Sequence, residues 1–101
     1  MTQYRQGDVL LVSAKLPQNA KAADKPGDVI LAFGEVTGHA HRIKERDKVR
    51  MWDAGAERFL QVLESTMLTH EEHASIMLHP GVYRLPQQVE YAPAELRRVA
   101  D

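Results

Sequence analysis

Apolar residues in this chain come in short runs, and glycine or proline turns punctuate them. Val9-Leu10-Leu11-Val12 follows Gly7-Asp8, and Val29-Ile30-Leu31-Ala32-Phe33 follows Gly27-Asp28. Runs of this length suit buried strands and are too short for a helix that has to cover a core. Residues 39–44 continue as a strand after the turn bracketed by Gly34 and Gly38. Residues 48–53 and 57–64 flank Asp53-Ala54-Gly55-Ala56 as a hairpin. Residues 82–85 alternate as a further strand after His79-Pro80-Gly81, and Pro86 marks an edge or a bulge, beyond which 87–91 can extend it. The pattern predicts a mainly β fold across residues 1–101, a small single-domain barrel or sandwich of short strands.

Three segments depart from that pattern. Residues 13–27 carry Pro17, Asn19, Asp24, Pro26 and Gly27 and read as a polar, mobile loop. Thr69 and Glu72 have the spacing of a capping box, which predicts one helical turn from His70. The alternative there is an extended segment running into Ala74-Ser75-Ile76-Met77-Leu78. Pro93 followed by Ala94-Glu95-Leu96-Arg97-Arg98-Val99 predicts a short C-terminal helix with proline at its first position.

Composition narrows the chemistry. The chain has no cysteine, which excludes disulfides, thiolate metal sites and cysteine nucleophiles. Lys and Arg total 13 against 14 Asp and Glu, a net charge of −1 that rises only to +4 with all five histidines protonated. No broad basic face follows from that balance, although Arg42, Lys44, Arg46, Lys48 and Arg50 alternate through one stretch and keep a nucleic-acid contact open. No apolar run approaches the roughly 20 residues of a membrane helix, so no membrane partner is expected. The polar start of the chain lacks a signal-peptide pattern, which predicts a cytoplasmic location.

Four of the five histidines fall in two tight pairs, His39-Ala40-His41 and His70-Glu71-Glu72-His73. At i, i+2 on a strand, His39 and His41 project to one side, with Cα atoms about 6.5–7 Å apart. Two imidazole nitrogens can then meet one ion at about 2.0–2.1 Å each. Glu45 follows His41 by four residues, and a strand bend there makes a two-histidine, one-carboxylate set suited to Fe(II), Mn(II) or Zn(II). His70 or His73 can supply a third imidazole instead. Glu71 and Glu72 are candidates for a general base or for an outer partner of a ligand. His-Glu-Glu-His is one residue short of the zinc-protease spacing, so protease chemistry does not follow.

Gly34, His39-Ala40-His41 and Glu45 resemble the first motif of cupins, in which a glycine precedes His-x-His and a glutamate follows. The glycine is one residue closer than usual, Gly55 is late for the closing glycine, and the second cupin motif is not matched, with His73 lying ahead of His79-Pro80-Gly81. The resemblance implies a metal in a β-barrel held by His39, His41 and Glu45, with His73 as fourth ligand.

Three functions fit these residues. The first is a metal-binding protein or metal-dependent enzyme using a divalent ion (Zn, Fe, Mn or Ni) and a small-molecule substrate. The second is a non-catalytic accessory module that recruits a protein partner or a second copy through an edge strand. The third is a metal-independent histidine ribonuclease, with Arg42 or Lys44 stabilising the phosphorane-like charge.

Overall fold

Strands form over every one of the short apolar runs. The computed structural model describes residues 3–34, 36 and 38–86. Ten strands follow in chain order: β1 (Gln3–Gln6), β2 (Val9–Ser13), β3 (Lys21–Ala22), β4 (Val29–Phe33), β5 (Ala40–Ile43), β6 (Val49–Ala54), β7 (Glu57–Val62), β8 (Thr66–His70), β9 (His73–Leu78) and β10 (Gly81–Leu85). One sheet has the order β1-β2-β10-β7-β6-β3 and the other β4-β5-β8-β9. The two are not closed into a barrel; of the two predicted architectures this is the sandwich. Val9, Leu11, Val49, Met51, Leu60 and Val62 from the first sheet meet Leu31, Ile43, Leu68 and Leu78 from the second in one core. Alternation on each strand explains the match, because every second side chain turns inward.

Three of the connections are hairpins with two-residue turns. The 53–56 turn is as expected, with Ala54 opposite Glu57. Gln6 pairs with Val9 across Gly7-Asp8, and His70 pairs with His73 across Glu71-Glu72. The last pairing corrects the capping-box expectation: residues 70–73 are the tip of a β-hairpin and not a helical turn. The four-residue capping signal is local, whereas the β8–β9 ladder buries Leu68 and Leu78 completely. Burying those two leucines stabilises by about 1.5–3 kcal/mol each, more than a cap contributes.

Two further expectations change. Residues 81–85 form an interior strand between β2 and β7, and Pro86 lies just past its last paired residue, Leu85. A proline there removes no ladder hydrogen bond, so it marks neither an edge nor a bulge. The polar loop 13–27 contains β3, which pairs with β6, and Asp24 accepts the Met51 N–H at 3.0 Å while holding Arg50 at 3.0 Å. The predicted extension at 87–91 and the helix at 93–99 lie outside the described residues.

The two open sides of the sandwich differ. On one, β1 lies against β9, and the Gln6 amide bonds to main-chain carbonyls of β8 and β9. On the other, beside β4, is a cleft of about 950 Å³ lined by Val29, Leu31, Phe33, Met51, Arg58 and Leu85. The histidines are not part of that cleft.

Candidate functional site

Three turns on the sealed side of the sandwich bring four imidazoles together. His39 sits just ahead of β5, where Gly34 N–H donates to His39 O (2.8 Å) and His39 N–H donates to Val36 O (3.0 Å). His41 lies one turn of the pleat further on, 5% exposed. His70 and His73 face each other across the β8–β9 turn with ring centroids 4.7 Å apart. The His70 ring is 4.3 Å from His41 and 6.0 Å from His39, and His73 is 5.8 Å from His41. His70 and His73, expected on one helical turn from the capping box, thus meet across a hairpin instead.

Two glycines make room for these rings. A Cβ on Gly7, in the β1–β2 turn, would stand 2.6 Å from His73 Nε2, and its φ of +56° already suits glycine. A Cβ on Gly34 would stand 3.1 Å from His70 Nε2. A side chain at Gly7 would force the His73 ring to shift.

Hydrogen bonds around the rings decide which nitrogen carries each proton. Gln6 is 4% exposed and spends its amide N–H bonds on Leu68 O and Ala74 O, each at 2.9 Å. Its Oε1 is therefore an acceptor, and it lies 2.8 Å from His41 Nδ1. His41 must hold its proton on Nδ1, leaving the lone pair on Nε2. Burial, reinforced by neighbouring His70 and His73 and opposed by Asp8 and Glu71, lowers the His41 pKa to about 4. It is neutral at pH 7.

His70 and His39 differ from each other. Glu72 N–H donates to His70 Nδ1 at 2.9 Å, so His70 accepts at Nδ1 and carries its proton on Nε2. Glu72 Oε2 lies 2.9 Å from His39 Nδ1, a close contact outside hydrogen-bond alignment. Glu71 is tied down elsewhere. Its Oε1 accepts the Ala40 N–H at 2.9 Å and its Oε2 lies 3.4 Å from Arg42. The Ala40 N–H, with the residue's own N–H, holds the Glu71 carboxyl below its usual range. Glu71 anchors the hairpin tip to β5, and Glu72 is the carboxylate that touches an imidazole.

Glu45 is not brought to the histidines. Thr66 donates to Glu45 Oε1 at 2.7 Å and Lys48 lies 3.1 Å from Oε2, contacts that pull the carboxyl pKa down. Thr66 begins β8 and His70 ends it, which puts about 13 Å of extended strand between them. The Arg46–Lys48 turn of 3-10 helix carries the chain away from the site, so the spacing after His41 is real but points elsewhere. Replacing Glu45 by glutamine is expected to leave metal affinity within about twofold of wild type, measured by competition with a chromogenic chelator. A tenfold loss would return Glu45 to the ligand set.

Four of the five basic residues of the 42–50 stretch also have partners elsewhere. Arg42 contacts Asp28 at 3.5 Å and Glu71 at 3.4 Å, Arg46 donates to Lys25 O at 3.0 Å, Lys48 pairs with Glu45, and Arg50 pairs with Asp24 while lying 5.1 Å over Trp52. In the conformation described, no three His, Asp or Glu side chains among the described residues have the geometry of a coordination sphere. Gln6, Gly7 and Asp8 are absent from the sequence reading of the site. Gly7-Asp8 is legible as a turn, but nothing in the sequence marks Gln6 as the partner of a histidine 35 positions away.

A family described as "Domain of unknown function (DUF8820)" matches residues 5–88, which includes the whole histidine cluster. No curated protein and no solved structure matches the chain.

Proposed function

The chain belongs to the DUF8820 family, a domain of unknown function, and from the geometry of its histidines we propose that it binds a divalent transition-metal ion through imidazole nitrogens. The clustering of four of its five histidines, with His70 beside His39, His41 and His73 and His73 beside His41, carries this reading. Two imidazoles bound to one tetrahedral ion have ring centroids about 5 Å apart, given metal–nitrogen distances of about 2.0–2.1 Å. The observed separations of 4.3 to 6.0 Å bracket that value. His41 is the anchor, neutral and oriented by Gln6, and the Glu72 carboxylate lies 2.9 Å from His39 Nδ1. A hydrogen-bonded partner such as Gln6 holds the tautomer of a ligating histidine. His73 is exposed, so turning its ring to complete the sphere costs little beyond a rotamer change. Without cysteine, the donor set suits Zn(II), Fe(II), Mn(II) or Ni(II) and not a thiolate-selected ion.

Elemental analysis of protein purified without a histidine tag tests this. About one equivalent of metal is expected in wild type, and the paired substitution His39→Ala with His41→Ala is expected to lower affinity by a factor of at least about 100. Sub-stoichiometric metal that the paired substitution leaves unchanged would overturn the reading. One observation favours a second one: Phe33, at the end of edge strand β4, is 80% exposed. An apolar edge of that kind suits an accessory module that pairs with a partner strand. A metal-free protein that is indifferent to its histidines would point to it.

A further inference from the structure

We propose that the cleft beside β4 binds an amphipathic carboxylate, an apolar chain ending in one ionised acid group, with Arg58 as the anchor of that group. The site is separate from the histidine cluster and does not depend on the metal-binding reading. Two features of the cleft carry the proposal. The first is its depth. Its volume of about 950 Å³ reaches the core, since Val9, Leu31 and Met51, none more than 7% exposed, are among the residues that line it. Sites for small molecules commonly have about 300–1,000 Å³ of space, apolar walls and a few placed polar groups.

The second feature is charge. Lys25, Arg46 and Arg58 line the cleft, and none of them forms an ion pair with a carboxylate among the described residues. Both arginines are held by main-chain carbonyls instead. Arg58, on β7, reaches across to β4 and donates to Leu31 O at 3.2 Å and Ile30 O at 3.5 Å, and Arg46 donates to Lys25 O at 3.0 Å. A carbonyl fixes a guanidinium in place without cancelling its charge. Of the aspartates that line the cleft, Asp24 is paired with Arg50 and Asp28 with Arg42, two arginines that lie outside the lining. Asp53 remains, between Lys21 and Arg58 in the β3-β6-β7 ladder and in an ion pair with neither. The cleft is therefore apolar within and carries more positive charge than its own carboxylates answer. Arg58 has five N–H donors and spends two on β4, so three remain for an acid. A planar carboxylate accepts two of them as a fork.

Amide NMR of the full chain titrated with decanoate and, separately, with decanol tests the assignment. Decanol has the same chain length and no charge, and a cleft that recognised only apolar surface would prefer it. Shifts are expected to centre on Leu31, Met51, Arg58 and Leu85, with decanoate binding about tenfold more tightly than decanol. In Arg58→Gln, which keeps a donor for Leu31 O, decanoate affinity is expected to fall about tenfold and decanol affinity to hold. Arg58→Lys keeps the charge and is expected to keep the preference for the acid. Thermal melts of the two variants separate misfolding from loss of the anchor. The paired substitution His39→Ala with His41→Ala is expected to leave decanoate binding unchanged, which separates this site from the metal-binding reading. Equal affinities for acid and alcohol in wild type, or a preference for the acid that survives in Arg58→Gln, would overturn the proposal. So would an absence of shifts at those four residues, which would leave the cleft to another occupant, residues 87–101 of the same chain being next in sequence to the lining residue Pro86.

Discussion

Gln6→Leu is expected to lower the melting temperature by about 15 °C. The side chain is buried and joins three groups: the carbonyls of Leu68 and Ala74 and the Nδ1–H of His41. Leucine fills nearly the same volume, so the loss is one of hydrogen bonding and not of packing. Each buried polar group left without a partner costs about 1–3 kcal/mol, and about 3 kcal/mol in all is a conservative sum. At about 4–8 °C per kcal/mol for a domain of this size, the shift is large and easily read by calorimetry. The same substitution frees the His41 tautomer, so metal affinity is expected to fall about 10- to 100-fold. A variant melting within about 3 °C of wild type would show that Gln6 does not seal the β1–β9 side of the sandwich.

The second large effect is on pH dependence. The pKa of His41 falls from its ordinary 6.5 to about 4, chiefly because burial disfavours the charged ring. Between those values the unfolded chain binds a proton that the folded protein refuses. Stability is therefore fully present above pH 6.5 and declines as the pH falls toward about 4, by about 3 kcal/mol in all. Between pH 7 and pH 5 the loss is about 2 kcal/mol. Asp24, Glu45 and Glu71 also have lowered pKa values, but their ordinary values of 3.8, 4.5 and 4.5 place most of their loss below pH 5. Urea unfolding of chelator-treated protein at the two pH values measures the effect. His41→Asn keeps an N–H donor for Gln6 Oε1 and cannot titrate, so its stability is expected to change much less. Equal pH slopes in the two proteins would remove His41 as the cause.

What was legible early follows from short-range rules. Strands over Val9–Ser13, Val29–Phe33 and Ala40–Ile43 come from apolar runs ended by turn residues, and the β6–β7 hairpin from its glycine turn. The expectation failed where a local signal was outweighed by distant partners. Thr69 and Glu72 carry a capping signal, yet pairing Leu68 with Ile76 and burying Leu78 decide that segment. Glu45 has the right spacing after His41, but the turn at Arg46–Lys48 and the hydroxyl of Thr66 take its carboxylate away.

The histidines divide along the same line. Their number, their pairing in sequence and the absence of cysteine limit any metal chemistry here to nitrogen and oxygen donors, and those are properties of composition and spacing alone. Which nitrogen of each ring is free is not. That depends on Gln6 reaching His41 across 35 residues, on Glu72 N–H meeting His70, and on Gly7 and Gly34 leaving space for rings from other turns. An imidazole is both donor and acceptor until a neighbour chooses for it, and only the folded chain supplies the neighbour.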